Sequence, residues 1–117
     1  MQLRLRRIYE PVAPEDGYRV LVDRLWPRGV SREAARIDEW ARELAPSDGL
    51  RRWFGHDPAR FDEFRRRYLE ELRLASGRLE ELRRRAQDGP VTIVFAAKDA
   101  ERSNAAVLWE ALRDRLA

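Results

Sequence analysis

Two short stretches of the chain set carboxylates beside cations. One is Asp23-Arg24-Leu25-Trp26-Pro27-Arg28-Gly29; the other is Lys98-Asp99, with Ser103 and Asn104 close behind it. A carboxylate next to a fixed cation suits general acid or base work or metal binding, which makes Asp23 and Asp99 the candidate catalytic groups. Arg24, Arg28 and Lys98 are the candidate anion-binding cations. Trp26, followed by the conformationally fixed Pro27, offers a ring face to a base or sugar. Ser103 and Asn104 stand where a helix should open, and a helix N-terminus presents free backbone N–H groups and partial positive charge to a phosphate or carboxylate. Lys98 is the single lysine beside 23 arginines, and it directly follows the most apolar run, Val91 to Ala97. An ammonium is a compact point charge whose pKa shifts with burial, unlike the planar guanidinium used everywhere else.

Each of these residues also has a structural reading. Asp23 and Asp99 fit turn caps, and Arg24 and Arg28 fit salt bridges that hold a loop. The four tryptophans fit core or rim packing, and His56, between a helix stop and the Asp57 cap, fits a hydrogen bonder that fixes a loop. The site reading gains from coincidence: two unusual loops, each after an apolar segment, each carrying Asp with a cation.

Composition removes several chemistries. The absence of cysteine excludes disulfides, zinc-thiolate sites and thiol nucleophiles, and one histidine leaves little for a histidine-rich metal site, so no metal site is assigned. The sequence leaves the cofactor unknown; Walker-type phosphate loops, Gly-x-Ser-x-Gly and zinc-protease helices are absent. No apolar run approaches the roughly 18 residues of a membrane helix, and the N-terminal segment lacks a signal-peptide core, so a cytoplasmic protein without a membrane partner is expected. The net charge of +3 is the difference between 24 cations and 21 anions. Many helical arginines sit four residues after an acid: Asp62 with Arg66, Glu63 with Arg67, Glu80 with Arg84, Glu81 with Arg85. The runs Arg65-Arg66-Arg67 and Arg83-Arg84-Arg85 therefore read as solvated faces, which weakens a nucleic-acid reading.

The elements that must position the two loops follow from periodicity. With 117 residues the chain is one domain, 1–117. Strands are predicted at Leu3 to Tyr9, Tyr18 to Val22 and Val91 to Ala97. Ser31 caps a short helix to Arg36, and Ser47 caps another to about Phe54 that Gly55 closes. Residues 37–44 fit a helix or an extended stretch. Asp57-Pro58 starts a long helix with Phe61, Phe64, Tyr68, Leu72 and Ala75 on one face. Ser76-Gly77 makes a bend or helical hairpin before Leu79, Leu82 and Ala86, and a last helix carries Ala106, Val107, Trp109, Leu112 and Leu116. This order favours a small three-layer α/β sandwich with a mostly parallel central sheet and helices on both faces. In a parallel sheet ligands bind beyond the carboxyl ends of the strands, where both loops begin.

The sequence also resembles the YeaO-like family, the domain of unknown function numbered 488, over nearly its whole length. The resemblance is carried by Arg7 to Pro11, Asp16 to Gly29, Asp38-Glu39-Trp40, Leu44 to Ser47, Trp53 to Pro58 and Ala96 to Asp99. It implies a small cytoplasmic α/β domain and brings no activity with it. Relatives often carry His-Asn-His after the Lys-Asp turn, where this chain reads Arg102-Ser103-Asn104, and some carry a Cys-His pair that this chain lacks. The leading expectation is a small enzyme or binder acting on an anionic, nucleotide-like or phosphorylated metabolite. A nucleic-acid-binding accessory module and a protein-interaction domain without catalysis are the alternatives.

Overall fold

A computed structural model describes residues 1–114. Four parallel strands, β1 (Leu3–Arg7), β2 (Tyr18–Leu21), β3 (Glu39–Trp40) and β4 (Val91–Phe95), form one sheet in the order β1-β4-β2-β3. Every residue of β4 is buried, as the continuous apolar run requires of a central strand covered on both faces. β1 is an edge strand, and its alternation of Leu with Arg follows from that place. Leu3 and Leu5 pack on the core, while Arg4 pairs with Asp16 and Arg6 with Glu10.

The helices are α1 (Arg32–Ala35), α2 (Asp48–Phe54), α3 (Phe61–Arg73), α4 (Ser76–Asp88) and α5 (Asn104–Arg113). On one face Val20, Val91, Ile93 and Phe95 meet Phe64, Tyr68, Leu72, Leu79, Leu82 and Leu108 in the main core. On the other, Leu21 and Val94 meet Ile8 and Ala35, with Trp26, Ile37 and Trp40 packed around them. The three-layer sandwich is therefore unequal: α2 to α5 form a thick layer, and α1 with its flanking loops a thin one.

The strands are shorter than their apolar runs. β1 stops at Arg7 because Glu10 turns back to accept its backbone N–H at 3.2 Å. Residues 37–44 take the extended alternative: β3 pairs Glu39 with Val20 and Trp40 with Leu21, and a 3-10 turn over Arg42–Leu44 follows. Leu74 and Ala75 separate α3 from α4, so the chain bends there, and both helices pack on α5. Two charge readings need correction. Arg66 bonds Glu63 rather than Asp62, and Glu81 takes Arg78 rather than Arg85, because a guanidinium reaches an acid three residues away as easily as four; Glu80 holds Arg83. Arg67 does pair with Glu63. Arg83 is also not on a solvated face: it is 8% exposed and donates to the Leu112 and Ala111 carbonyls at 2.8 and 2.7 Å, closing the end of α5. In α5 the buried positions include Val107 and Leu112, while Leu116 lies outside the described residues. No helix among the described residues is long and apolar enough to cross a membrane.

Candidate functional site

Because β2 and β4 are parallel neighbours with Leu21 opposite Val94, the loops that follow them leave the sheet side by side. Asp23 ties the two together. Its carboxylate accepts the Ala96 N–H at 2.9 Å and the Asn104 side-chain amide at 3.2 Å, and its own carbonyl accepts the Trp40 indole N–H at 2.7 Å. The same Asn104 amide donates to the Val22 carbonyl at 3.1 Å. One carboxylate thus joins the ends of β2 and β4 to the first turn of α5. Burial pushes the Asp23 pKa above the ordinary carboxylate value, against the Asn104 and Ala96 bonds and nearby His56, which pull it down.

The second loop is built around the start of α5. Ser103 is its N-cap: the hydroxyl accepts the Ala106 N–H at 3.1 Å and donates to the Ala100 carbonyl at 2.8 Å. It is 1% exposed and does not line the cavity described below. Asp99 accepts the Arg102 backbone N–H at 3.2 Å and its guanidinium at 3.1 Å, so it closes the Lys98-Asp99 turn. Lys98 is exposed at the lip.

At this edge lies a cavity of about 820 Å³. Seven of the eight candidate site residues line it, Ser103 being the exception. The fold adds Arg51 and Arg52 from α2, His56 from the turn after it, and Arg102. None of these was marked as a site residue in the sequence. Arg51 and Arg52 carry no motif, and only the packing of α2 beside the sheet edge brings them there. The apolar floor comes from Pro46, Pro58 and Phe54, whose ring stacks on Phe64 with centroids 4.2 Å apart. His56, at φ 56°, tilts its ring toward Phe54 at 6.0 Å.

Trp26 is a wall of the cavity and part of the thin-layer core at once. Its indole donates to the Val30 carbonyl at 2.7 Å, meets Trp40 edge-on at 5.5 Å and carries the Arg32 guanidinium 4.5 Å from its ring.

Charge separates this cavity from the rest of the molecule. Six cations line it, Arg24, Arg28, Arg51, Arg52, Lys98 and Arg102, against two carboxylates, Asp23 and Asp99. Of the 23 cations and 21 anions among the described residues that leaves 17 and 19 elsewhere, close to neutral. Arg24 is held by the Pro46 carbonyl at 3.0 Å and lies 3.6 Å from Asp48, which Arg51 also approaches at 3.5 Å. Arg28, Arg52 and Lys98 have no carboxylate partner among the described residues. No group of three or more His, Asp or Glu side chains suited to a metal ion occurs among the described residues.

The family model described as the inactive DUF488-N3 subclade matches residues 2–117. The chain is 46% identical over 114 residues to an uncharacterised protein of Mycobacterium tuberculosis, covering 97% of this chain and 96% of the relative. It is 38% identical over 113 residues to the uncharacterised protein YeaO of Escherichia coli, covering 97% and 98%. No solved structure matches.

Proposed function

The chain belongs to the inactive DUF488-N3 subclade, and from that premise we propose that it binds a small anionic metabolite, phosphorylated or nucleotide-like, at the carboxyl edge of its sheet without transforming it. The observation that carries this reading is the cation excess around one cavity in a molecule that is otherwise balanced. Fixed cations in a partly enclosed, apolar-floored space attract an anion more strongly than the same charges on open surface. The cavity also lies within the usual size range of small-molecule sites, and its floor of Pro and Phe with a few convergent polar groups is their usual composition. Asp23 and Asp99, the two candidate acid–base groups, are both engaged in holding loops, which favours binding over turnover.

The test is a thermal-shift screen of phosphorylated metabolites against the wild type and an Arg28→Ala, Lys98→Ala double variant. At least one compound should raise the wild-type Tm by several degrees and the variant's by much less. If no compound separates the two proteins, the reading is wrong.

A further inference from the structure

We propose that the ligand of this cavity is a nucleoside diphosphate or triphosphate taken up without a divalent metal. The inference rests on the anion-binding reading above and adds the charge, the shape and the metal requirement of what is bound.

Charge comes first. The lining carries six cations against two carboxylates; Arg24 and Arg51 also lie against Asp48 and Arg102 holds Asp99, so the uncompensated charge rests on Arg28, Arg52 and Lys98. A phosphate monoester brings about −1.5 to −2 at neutral pH and leaves much of that excess uncompensated beside an apolar floor. A diphosphate or triphosphate, with about three to four negative charges, matches it.

The unpartnered cations also come from three separate segments. Arg28 stands on the loop after β2, Arg52 on α2, and Lys98 on the loop after β4. A single phosphate group is commonly held by one nest or one fork, whereas cations arriving from three sides suit a chain of phosphates. The remaining wall is apolar: exposed Leu25 and Pro58 with half-buried Trp26, over the buried Phe54 stacked on Phe64. A floor of that kind takes a flat ring, because aromatic and prolyl surfaces bind it by burial and stacking. Phosphates on the cations and a base on the floor fill the two halves of the cavity.

The metal requirement follows from what the carboxylates do. Polyphosphates usually travel with Mg²⁺, which proteins hold through free carboxylates. Here the Asp23 oxygens accept from Ala96 and Asn104, Asp99 is taken by Arg102, and no other carboxylate lines the cavity. Guanidinium and ammonium groups therefore do the neutralising, and Mg²⁺ on the phosphates competes with them.

Calorimetric titration of the full chain at low salt with inorganic phosphate, pyrophosphate, AMP and ADP, in EDTA and then in excess Mg²⁺, tests each part. ADP should bind about tenfold or more tightly than both AMP and pyrophosphate, and Mg²⁺ should weaken it several-fold. Arg52→Gln, at an exposed position with no carboxylate partner, should lower ADP affinity by about tenfold while changing AMP less. Equal binding of AMP and ADP, pyrophosphate binding as well as ADP, or tighter binding with Mg²⁺ would each overturn this inference and leave the anion reading standing. If none of the four binds, both fall.

Discussion

Replacing Asn104 with alanine removes one amide that serves two acceptors, the Val22 carbonyl at 3.1 Å and the Asp23 carboxylate at 3.2 Å. An NH₂ group has two hydrogens, so both bonds are real donations. Val22 is fully buried and Asp23 largely so. An acceptor left unpaired in such a place costs roughly 1–3 kcal/mol, toward the upper end when it is ionised. A loss of about 2–3 kcal/mol at neutral pH follows. At roughly 4 °C per kcal/mol for a domain of this size, the Tm should fall by about 8–12 °C.

The loss should depend on pH. Burial already holds the Asp23 pKa above its unfolded value, so the native state retains the proton longer, and wild-type stability declines as pH rises from the ordinary carboxylate range through the raised one. The Asn104 bond opposes that rise. Without it the folded pKa moves higher still, the decline extends to higher pH, and the gap between variant and wild type widens across that window. Below both pKa values Asp23 is neutral in either protein, and only the bond to Val22, about 1 kcal/mol, separates them. Urea unfolding at a series of pH values from about 4 to 8 measures the gap. A gap under about 0.5 kcal/mol at neutral pH, or one that stays constant, would refute the account of Asp23 as a desolvated carboxylate held by Asn104. An Asp23→Asn background should flatten the dependence.

Two further predictions concern positions where the backbone is served by one residue. Arg83→Met keeps the aliphatic volume but strands the Ala111 and Leu112 carbonyls at the end of α5, so urea unfolding should show a loss of about 2–4 kcal/mol. The exposed neighbour Arg84→Met should stay within about 0.5 kcal/mol, and similar losses for the two would remove the clamp argument. Gly17→Ala places a methyl at φ +63° inside the envelope of the Pro90 carbonyl, which accepts the Tyr18 N–H at 3.0 Å as β2 begins. Strain and a displaced strand end should cost more than about 3 kcal/mol by thermal unfolding, and a near-native Tm would contradict the close approach.

Where local pattern carried the information, the sequence was legible. The continuous run at β4 and the Leu–Arg alternation of β1 each have a local cause and appear in the fold, while Asp57-Pro58 opens a 3-10 turn, Pro58–Arg60, that leads into α3 rather than α3 itself. What failed to show is what depends on distant partners. β3 is two residues long and exists only because Val20 and Leu21 offer it a ladder. Arg83 sits in an arginine run that looks solvated, and only α5 packing across α4 turns it inward. The two loops could be read as sharing one edge from the parallel sheet alone, since parallel strands end on the same side; that β2 and β4 are neighbours could not. Arg51 and Arg52 could not, because nothing near Ser47 or Gly55 says which edge α2 will border. Ser103 shows the opposite error: it matched a ligand-binding position and serves as a buried cap.

A general base needs a free lone pair facing the substrate and a neighbour that orients it. In this cavity both carboxylates have part of their acceptor capacity tied into the loops. Asp23 spends its oxygens on Ala96 and Asn104, and Asp99 spends both on Arg102. His56 lacks the second, since it stands exposed after Gly55 with a ring contact to Phe54 and no hydrogen bond among the described residues to fix its tautomer. The groups left unengaged, Arg28, Arg52 and Lys98, are donors only. Donors of this kind can hold an anion and cannot take a proton from it. The geometry and the description of the subclade as inactive are then separate reasons for the same binding reading, and they part over one variant. If catalysis was lost through His56 alone, an oriented acceptor placed beside it would restore turnover of the bound anion. If the carboxylates were committed to architecture, no single substitution will restore it, because freeing Asp23 releases the loop after β2 from Ala96 and from the first turn of α5.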